Sequence, residues 1–267
     1  MITVKEYIAP QNVAEAYELF SKKKNSTILG GGAFIRMGTK NIGTLIDLSK
    51  AKIDYINETE SAFEIGAMAT FGDIEHSKIL AEHFDNLLAK SVREIVGLQL
   101  RNLVTVGGTV YSRYGFSDFL TGLLVLDTKV NFHKQGRISL EEYLEVGSKE
   151  KDILVSMTIL KDRRRASYIT MRNSKGDYAI LNVAVSKLGD NFRIAVGARP
   201  QRAILAKNAM EYLSSNGYTE EHIKKAVEIA AEEIAFGTNT RGSKEYRKQI
   251  CKALLKKALM EVVSYED

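Results

Sequence analysis

The chain has 267 residues, 45% hydrophobic and 27% charged, with no tryptophan, two prolines and a single cysteine. That length suits roughly two domains, and Cys251 alone excludes an internal disulfide or a cysteine-held iron–sulfur cluster or structural zinc within this chain. The net charge of +5 is spread along helical stretches with Glu between the Lys and Arg, which reads as solvated helix faces or a surface matched to an acidic partner rather than a nucleic-acid groove.

No apolar run approaches the ~18 residues of a spanning helix, and no signal segment is evident, so no membrane association and a cytoplasmic location are expected. The four histidines, His76, His83, His133 and His222, lack metal-ligand spacing, and His76 and His83 are expected to share a helix face.

In chain order, residues 2–9 alternate as a strand stopped by Pro10, and Asn12 caps a helix to about residue 24 with Val13, Ala16, Tyr17 and Phe20 at helical spacing. A strand over 27–29 runs into Gly30-Gly31-Gly32, which makes a βαβ start. Residues 44–48 read as another strand, and 53–56 with 62–65 as a hairpin. Thr70 is a plausible cap for a helix over 71–77, with further helices expected over 79–84 and 86–96. The β-branched run Val104-Thr105-Val106 reads as a strand end leading into Gly107-Gly108.

After Ser117-Asp118, residues 119–126 are too apolar for an exposed loop and read as a buried helix, followed by a strand over 129–133. Ser139 caps a helix over 140–144, residues 153–159 alternate as a strand, and 161–165 read as a charged, solvated turn. Strands over 166–172, 179–188 and 191–198 with short turns imply an antiparallel sheet. Helices over 203–214, 219–235 and 244–263 complete the chain.

Two glycine turns stand out, Leu29-Gly30-Gly31-Gly32-Ala33-Phe34 and Thr105-Val106-Gly107-Gly108. Gly has no Cβ, so backbone N–H groups there can approach a ligand closely, and clustered amides attract phosphate. Two such turns suit the two ends of one diphosphate. Asp118 suits either a hydroxyl acceptor or a helix cap, and Arg101-Asn102 reads as a structural support for the second turn. No residue reads as a catalytic acid, nucleophile or metal ligand.

The first glycine turn, the Arg101-Asn102-x-x-Thr105-x-Gly107-Gly108 element and Ser117-Asp118, together with Gly176-Asp177-Tyr178-Ala179 and Gly197-Ala198-Arg199-Pro200, resemble the flavin-binding subunits of molybdenum hydroxylases of the xanthine dehydrogenase and carbon monoxide dehydrogenase type. The resemblance implies an α+β fold. A two-lobed FAD-binding domain, vanillyl-alcohol-oxidase/PCMH-like, would occupy residues 1–165 (lobes about 1–56 and 57–165). A small C-terminal α+β domain with an antiparallel sheet would occupy 166–267.

Carried over by residue, Leu29, Gly30, Gly31, Gly32, Ala33 and Phe34 would hold the FAD pyrophosphate, with Thr105, Gly107 and Gly108 on the pyrophosphate and ribityl chain. Asp118 would accept from a sugar or ribityl hydroxyl, Ile95 would pack on the adenine, Leu154 would offer a backbone contact to the flavin ring, and Tyr178 would lie near that ring. A lysine common in the family is Ile169 here, with Arg172 the nearest cation.

The resemblance further implies an electron-transfer subunit. A molybdopterin subunit oxidises substrate, an iron–sulfur subunit carries 2Fe-2S clusters, and FAD on this chain passes electrons to NAD⁺ or another acceptor. A stand-alone FAD-dependent reductase and a flavin-free scaffold subunit are the alternatives.

Overall fold

Most elements form where alternation and caps place them in the computed structural model, which describes residues 1–148 and 150–264; residue 149 and the last three residues of the expected C-terminal domain lie outside the described residues. Contacts divide the chain into two units built from non-contiguous segments. The first comprises Met1–Ile74, Gly97–Ser112 and Thr128–Leu160; the second comprises Glu75–Val96, Arg113–Asp127 and the described residues from Lys161 on.

The first unit opens with a three-stranded parallel sheet in which Asn41–Asp47 lies between Thr3–Ile8 and Ser26–Leu29. Parallel strands need crossover connections: the first glycine turn with the 3-10 turn Ile35–Met37 leads on to the central strand, and the helix Val13–Lys22, burying Ala16 and Phe20, carries the chain between the two outer ones. Its start is fixed by the Asn12 side chain, which accepts from the Glu15 amide at 2.9 Å. Its end is tied by Lys151, whose Nζ donates to the carbonyls of Phe20, Lys23 and Lys24 at 3.3, 3.0 and 3.3 Å.

An antiparallel sheet follows in the same unit, ordered Ile56–Glu58, Ala62–Gly66, Leu154–Leu160, Lys129–Phe132, Gly136–Ser139. Side chains alternate across it: Phe63, Ile65, Val130, Met157 and Ile159 are buried on one face. On the other face Glu64, Asn131, Ser156 and Thr158 bond to one another. The expected hairpin is therefore present, although its first strand begins at Ile56 rather than residue 53.

Two expectations nearby fail. Val104-Thr105-Val106 is not a strand: Thr105 makes only an isolated bridge to Thr70, and Val106–Ser112 is helical. The Thr105 hydroxyl accepts from the Gly108 amide at 3.2 Å, so a local cap overrides the β preference of a three-residue run. His76 and His83 share no helix, because Phe71–His76 ends before Ser77, which caps the separate helix Lys78–Ala81.

The second unit is built on an antiparallel sheet ordered Ile204–Leu205, Asn191–Gly197, Ala179–Leu188, Arg165–Arg172. Leu181, Val183, Val185, Phe192, Ile194 and Val196 enter a core shared with the helices Lys207–Asn216, Glu220–Glu233 and Lys244–Val263. Cys251 sits there at 0% exposure, and burial pushes its thiol up to about 12, which makes it an inert core residue. The helix expected from residue 203 starts at Lys207, because Ile204–Leu205 instead pairs along the Asn191–Gly197 edge.

Against the opposite face of that sheet lies Asp118–Val125, buried along its whole length. Thr121 donates to Asn182 Oδ1 at 2.8 Å, and Ser186 donates to the Val125 carbonyl at 2.6 Å. A Cβ on Gly197 would stand 2.1 Å from Thr121 Oγ1, so the helix seats directly on the strand. The charged turn at 161–165 is only partly solvated. Arg164 is buried, forked onto Asp162 and donating to the Val125 carbonyl at 2.7 Å. None of the described helices is long and apolar enough to cross a membrane.

Candidate cofactor site

The first glycine turn leaves the end of the Ser26–Leu29 strand and closes into the 3-10 turn Ile35–Met37. Gly32 takes φ +74°, a conformation that favours glycine. Among the described residues, the amides of Gly30, Gly31, Gly32 and Ala33 donate to no acceptor of the chain. Amides that are not fully solvated call for an acceptor, and successive unpartnered amides at a glycine turn are the kind of donor set that suits an anion.

This turn packs on the second one. A Cβ added at Gly31 would lie 1.4 Å from the Leu103 carbonyl oxygen, and one at Gly30 would lie 2.6 Å from Thr105 Oγ1. The segment 102–107 is held in turn by its own unit. Asn102 Oδ1 lies where a Cβ on Gly72 would meet it at 2.1 Å, and the amides of Val106 and Gly107 donate to Ala69 and Ala67 at 2.8 and 2.7 Å. Asn102 thus supports the turn, as its sequence position suggested.

The two turns contribute differently. Gly107 and Gly108 have their amides committed inside the chain, to Ala67 and to the Thr105 hydroxyl. What the pair offers a ligand is close approach, at the exposed Gly108, rather than a row of donors. Leu154, also in this unit, opens the strand Leu154–Leu160 with its side chain buried opposite Phe132.

Asp118, Ile95 and Tyr178 belong to the second unit. Asp118 is 4% exposed. It accepts from the Tyr168 hydroxyl at 2.5 Å and the Asn182 amide at 2.9 Å, and pairs with Arg172 at 2.8 Å. The cap of its helix is Ser117, which accepts from the Leu120 amide at 3.2 Å, so Asp118 is not the cap.

Desolvation pushes the Tyr168 phenol well above its ordinary value, and the adjacent Asp118 carboxylate adds to the rise. Burial acts to lower the Arg172 guanidinium, but Asp118, Tyr168 and Glu94 outweigh it and the net direction is upward. Both directions favour the protonated forms of Tyr168 and Arg172. Arg172 also pairs with Glu94 at 3.2 Å and donates to the Asp177 carbonyl at 2.7 Å, while Ile169 packs against the C-terminal core.

Sequence reasoning missed Tyr168 and Asn182 as partners of Asp118. They come 50 and 64 residues later, and only the sheet register Asn182↔Thr170 with Ala184↔Tyr168 brings them together. Ile95 is half-buried just past the helix Leu87–Arg93. Tyr178 is 40% exposed and lies against Phe116, with ring centroids 4.6 Å apart.

Comparison with known proteins identifies the family of this chain. Residues 3–160 match the FAD binding domain in molybdopterin dehydrogenase, and residues 166–262 match the CO dehydrogenase flavoprotein C-terminal domain. The nicotine 6-hydroxylase medium subunit of Paenarthrobacter nicotinovorans is 26% identical over 273 residues, 96% of each chain. The nicotinate dehydrogenase FAD-subunit of Eubacterium barkeri is 22% identical over 289 residues, 97% of this chain and 96% of that one.

Among solved structures, a chain of carbon monoxide dehydrogenase from Hydrogenophaga pseudoflava has a TM-score of 0.89 at 23% identity over 97% of both chains. One of quinoline 2-oxidoreductase from Pseudomonas putida 86 has a TM-score of 0.87 at 20% identity. These two show a shared fold. Unpartnered amides at a glycine turn suit a diphosphate, so the residues present fit FAD. Taken with the family match over most of its length, this makes the chain a member of the molybdopterin dehydrogenase flavoproteins, the FAD-binding oxidoreductase subunits of molybdenum hydroxylases.

Proposed function

We propose that this chain is the electron-transfer flavoprotein of a xanthine dehydrogenase-like complex, working with an iron–sulfur subunit that carries 2Fe-2S clusters and a molybdopterin subunit, and delivering electrons to NAD⁺ or another acceptor. The relatives named as medium or FAD subunits support a multi-chain assembly. Cys251, inert in the core, supports placing the clusters on a partner. Bound FAD supplies the redox chemistry, accepting electrons and releasing them as a pair.

The observation that carries the reading is the seating of Gly30 and Gly31 on Leu103 and Thr105 beside four unpartnered amides. We assign the pyrophosphate to the Leu29–Phe34 turn, with Thr105, Gly107 and Gly108 lining its approach. One row of directional donors, beside a second turn that allows close approach, would hold the phosphates without side-chain bulk and so orient the rest of the cofactor. The ring contact of Leu154, the adenine contact of Ile95, the hydroxyl contact of Asp118 and the ring neighbour Tyr178 are proposed on the resemblance. The domains are proposed as residues 1–165 and 166–267.

Anaerobic addition of NADH to the FAD-loaded complex tests the acceptor. Bleaching of the visible flavin band is expected. An unchanged band, in a complex that still oxidises substrate with an artificial acceptor, overturns the NAD⁺ reading.

A further inference from the structure

Tyr178 is a large aromatic side chain left 40% exposed, yet it is held from every side. Its backbone amide donates to Asp177 Oδ1 at 2.7 Å, and the Asp177 carbonyl accepts from Arg172 at 2.7 Å. Phe116 lies 4.6 Å from its ring at 58°, and Phe116 is itself stacked on Tyr114 at 4.9 Å. The Arg241 guanidinium sits 5.1 Å from the Tyr178 ring centroid and forks onto the same Asp177 oxygen through Nε and Nη2, at 2.9 and 2.8 Å.

The loop presenting Arg241 is pinned from below. Its amide donates to Asn239 Oδ1 at 2.9 Å, and the wholly buried Arg247 donates to that same oxygen at 2.6 Å and to the Ile180 carbonyl at 2.8 Å. A part-exposed ion pair of this kind contributes little to stability, so so much support for one surface cation points to a use other than folding. A cation over an aromatic face both fixes the ring and lends it positive potential. Arg241 also holds the Asp177 carboxyl below its ordinary range, chiefly through their hydrogen bond.

We infer that Arg241 is a positioning residue for the flavin ring, acting through Tyr178. It locks the tyrosine as a preformed stacking surface and offsets the Asp177 carboxylate behind it, so that no unopposed negative charge disfavours the electron-rich reduced ring. This rests on the reading that Tyr178 lies beside that ring.

The test compares the FAD-loaded full chain with Arg241→Met, Arg241→Lys and Tyr178→Leu, reading the flavin midpoint potential and visible band shape, with melting temperature and FAD affinity alongside. Arg241→Met is expected to weaken reduction about tenfold, about 30 mV for a two-electron couple, with melting and affinity near wild type. Arg241→Lys, which keeps the charge, is expected to retain most of the potential, and Tyr178→Leu to alter the band.

A wild-type potential in Arg241→Met with an altered band in Tyr178→Leu overturns the inference and leaves the ring placement standing. Unmoved potential and band in both variants overturn the ring placement and the inference together. Equal potentials in the Met and Lys variants, with lowered melting in both, mark Arg241 as structural only.

Discussion

Asp118 illustrates how a motif residue acquires a role its own stretch of sequence does not contain. The Ser-Asp pair is visible in the chain, and the division of labour is physical: Ser117 caps the helix while Asp118 neutralises Arg172. Its carboxylate already accepts from Tyr168, Asn182 and Arg172, which leaves about one lone pair for a ligand hydroxyl. Replacing it strands a guanidinium whose side chain is 7% exposed.

Asp118→Ala is therefore expected to destabilise the FAD-free chain by about 3 kcal/mol, the low end for a broken buried pair because Glu94 still faces Arg172. Denaturant unfolding without flavin measures it, and a loss under about 1 kcal/mol contradicts the account. At this scale the glycines were legible, because a missing side chain is a property of the residue. Which amides remain unpaired was not, because Gly107 is committed by Ala67, a residue 40 positions earlier.

At the scale of elements, local signals were readable wherever the determining contact is local. Asn12, Thr70 and Ser139 accept from the amides of Glu15, Asp73 and Glu142, three residues on, as their positions suggested. Thr70 and Asp73 bond reciprocally, since Asp73 accepts from the Thr70 amide at 2.8 Å. Short elements formed by distant pairing were not readable. Gly136–Ser139 and Ile204–Leu205 exist because a neighbouring strand offers an edge, and Val104-Thr105-Val106 lacks one long enough.

The C-terminal end of Val13–Lys22 depends likewise on Lys151, more than 120 residues away. Lys151→Met removes the ammonium from the Phe20 ring and from the carbonyls of Phe20, Lys23 and Lys24, leaving the Ser26 hydroxyl on the first two. It is expected to cost about 0.3–1 kcal/mol, read as a lower melting temperature with FAD binding retained. An unchanged melting temperature shows that water caps those carbonyls equally well.

At the scale of the molecule, the order of expected strands and helices and the family resemblance pointed to the α+β class, and the interspersed Lys and Glu resolve into helix-to-helix pairs such as Lys248–Glu232 and Lys252–Glu228. Chain order concealed the packing. A largely apolar run such as 119–126 announces burial on every side without naming the sheet that buries it, and here the strand that bonds to it, Ala179–Leu188, lies more than 50 residues later.

The central claim is that orphan amides of the first glycine turn receive the FAD diphosphate. The most direct measurement is titration of the full chain with FAD while backbone amide resonances are followed. The account predicts large downfield shifts for Gly30, Gly31, Gly32 and Ala33, with Gly107, bound to Ala67, moving little. FAD saturating the protein while those four resonances stay in place would contradict it.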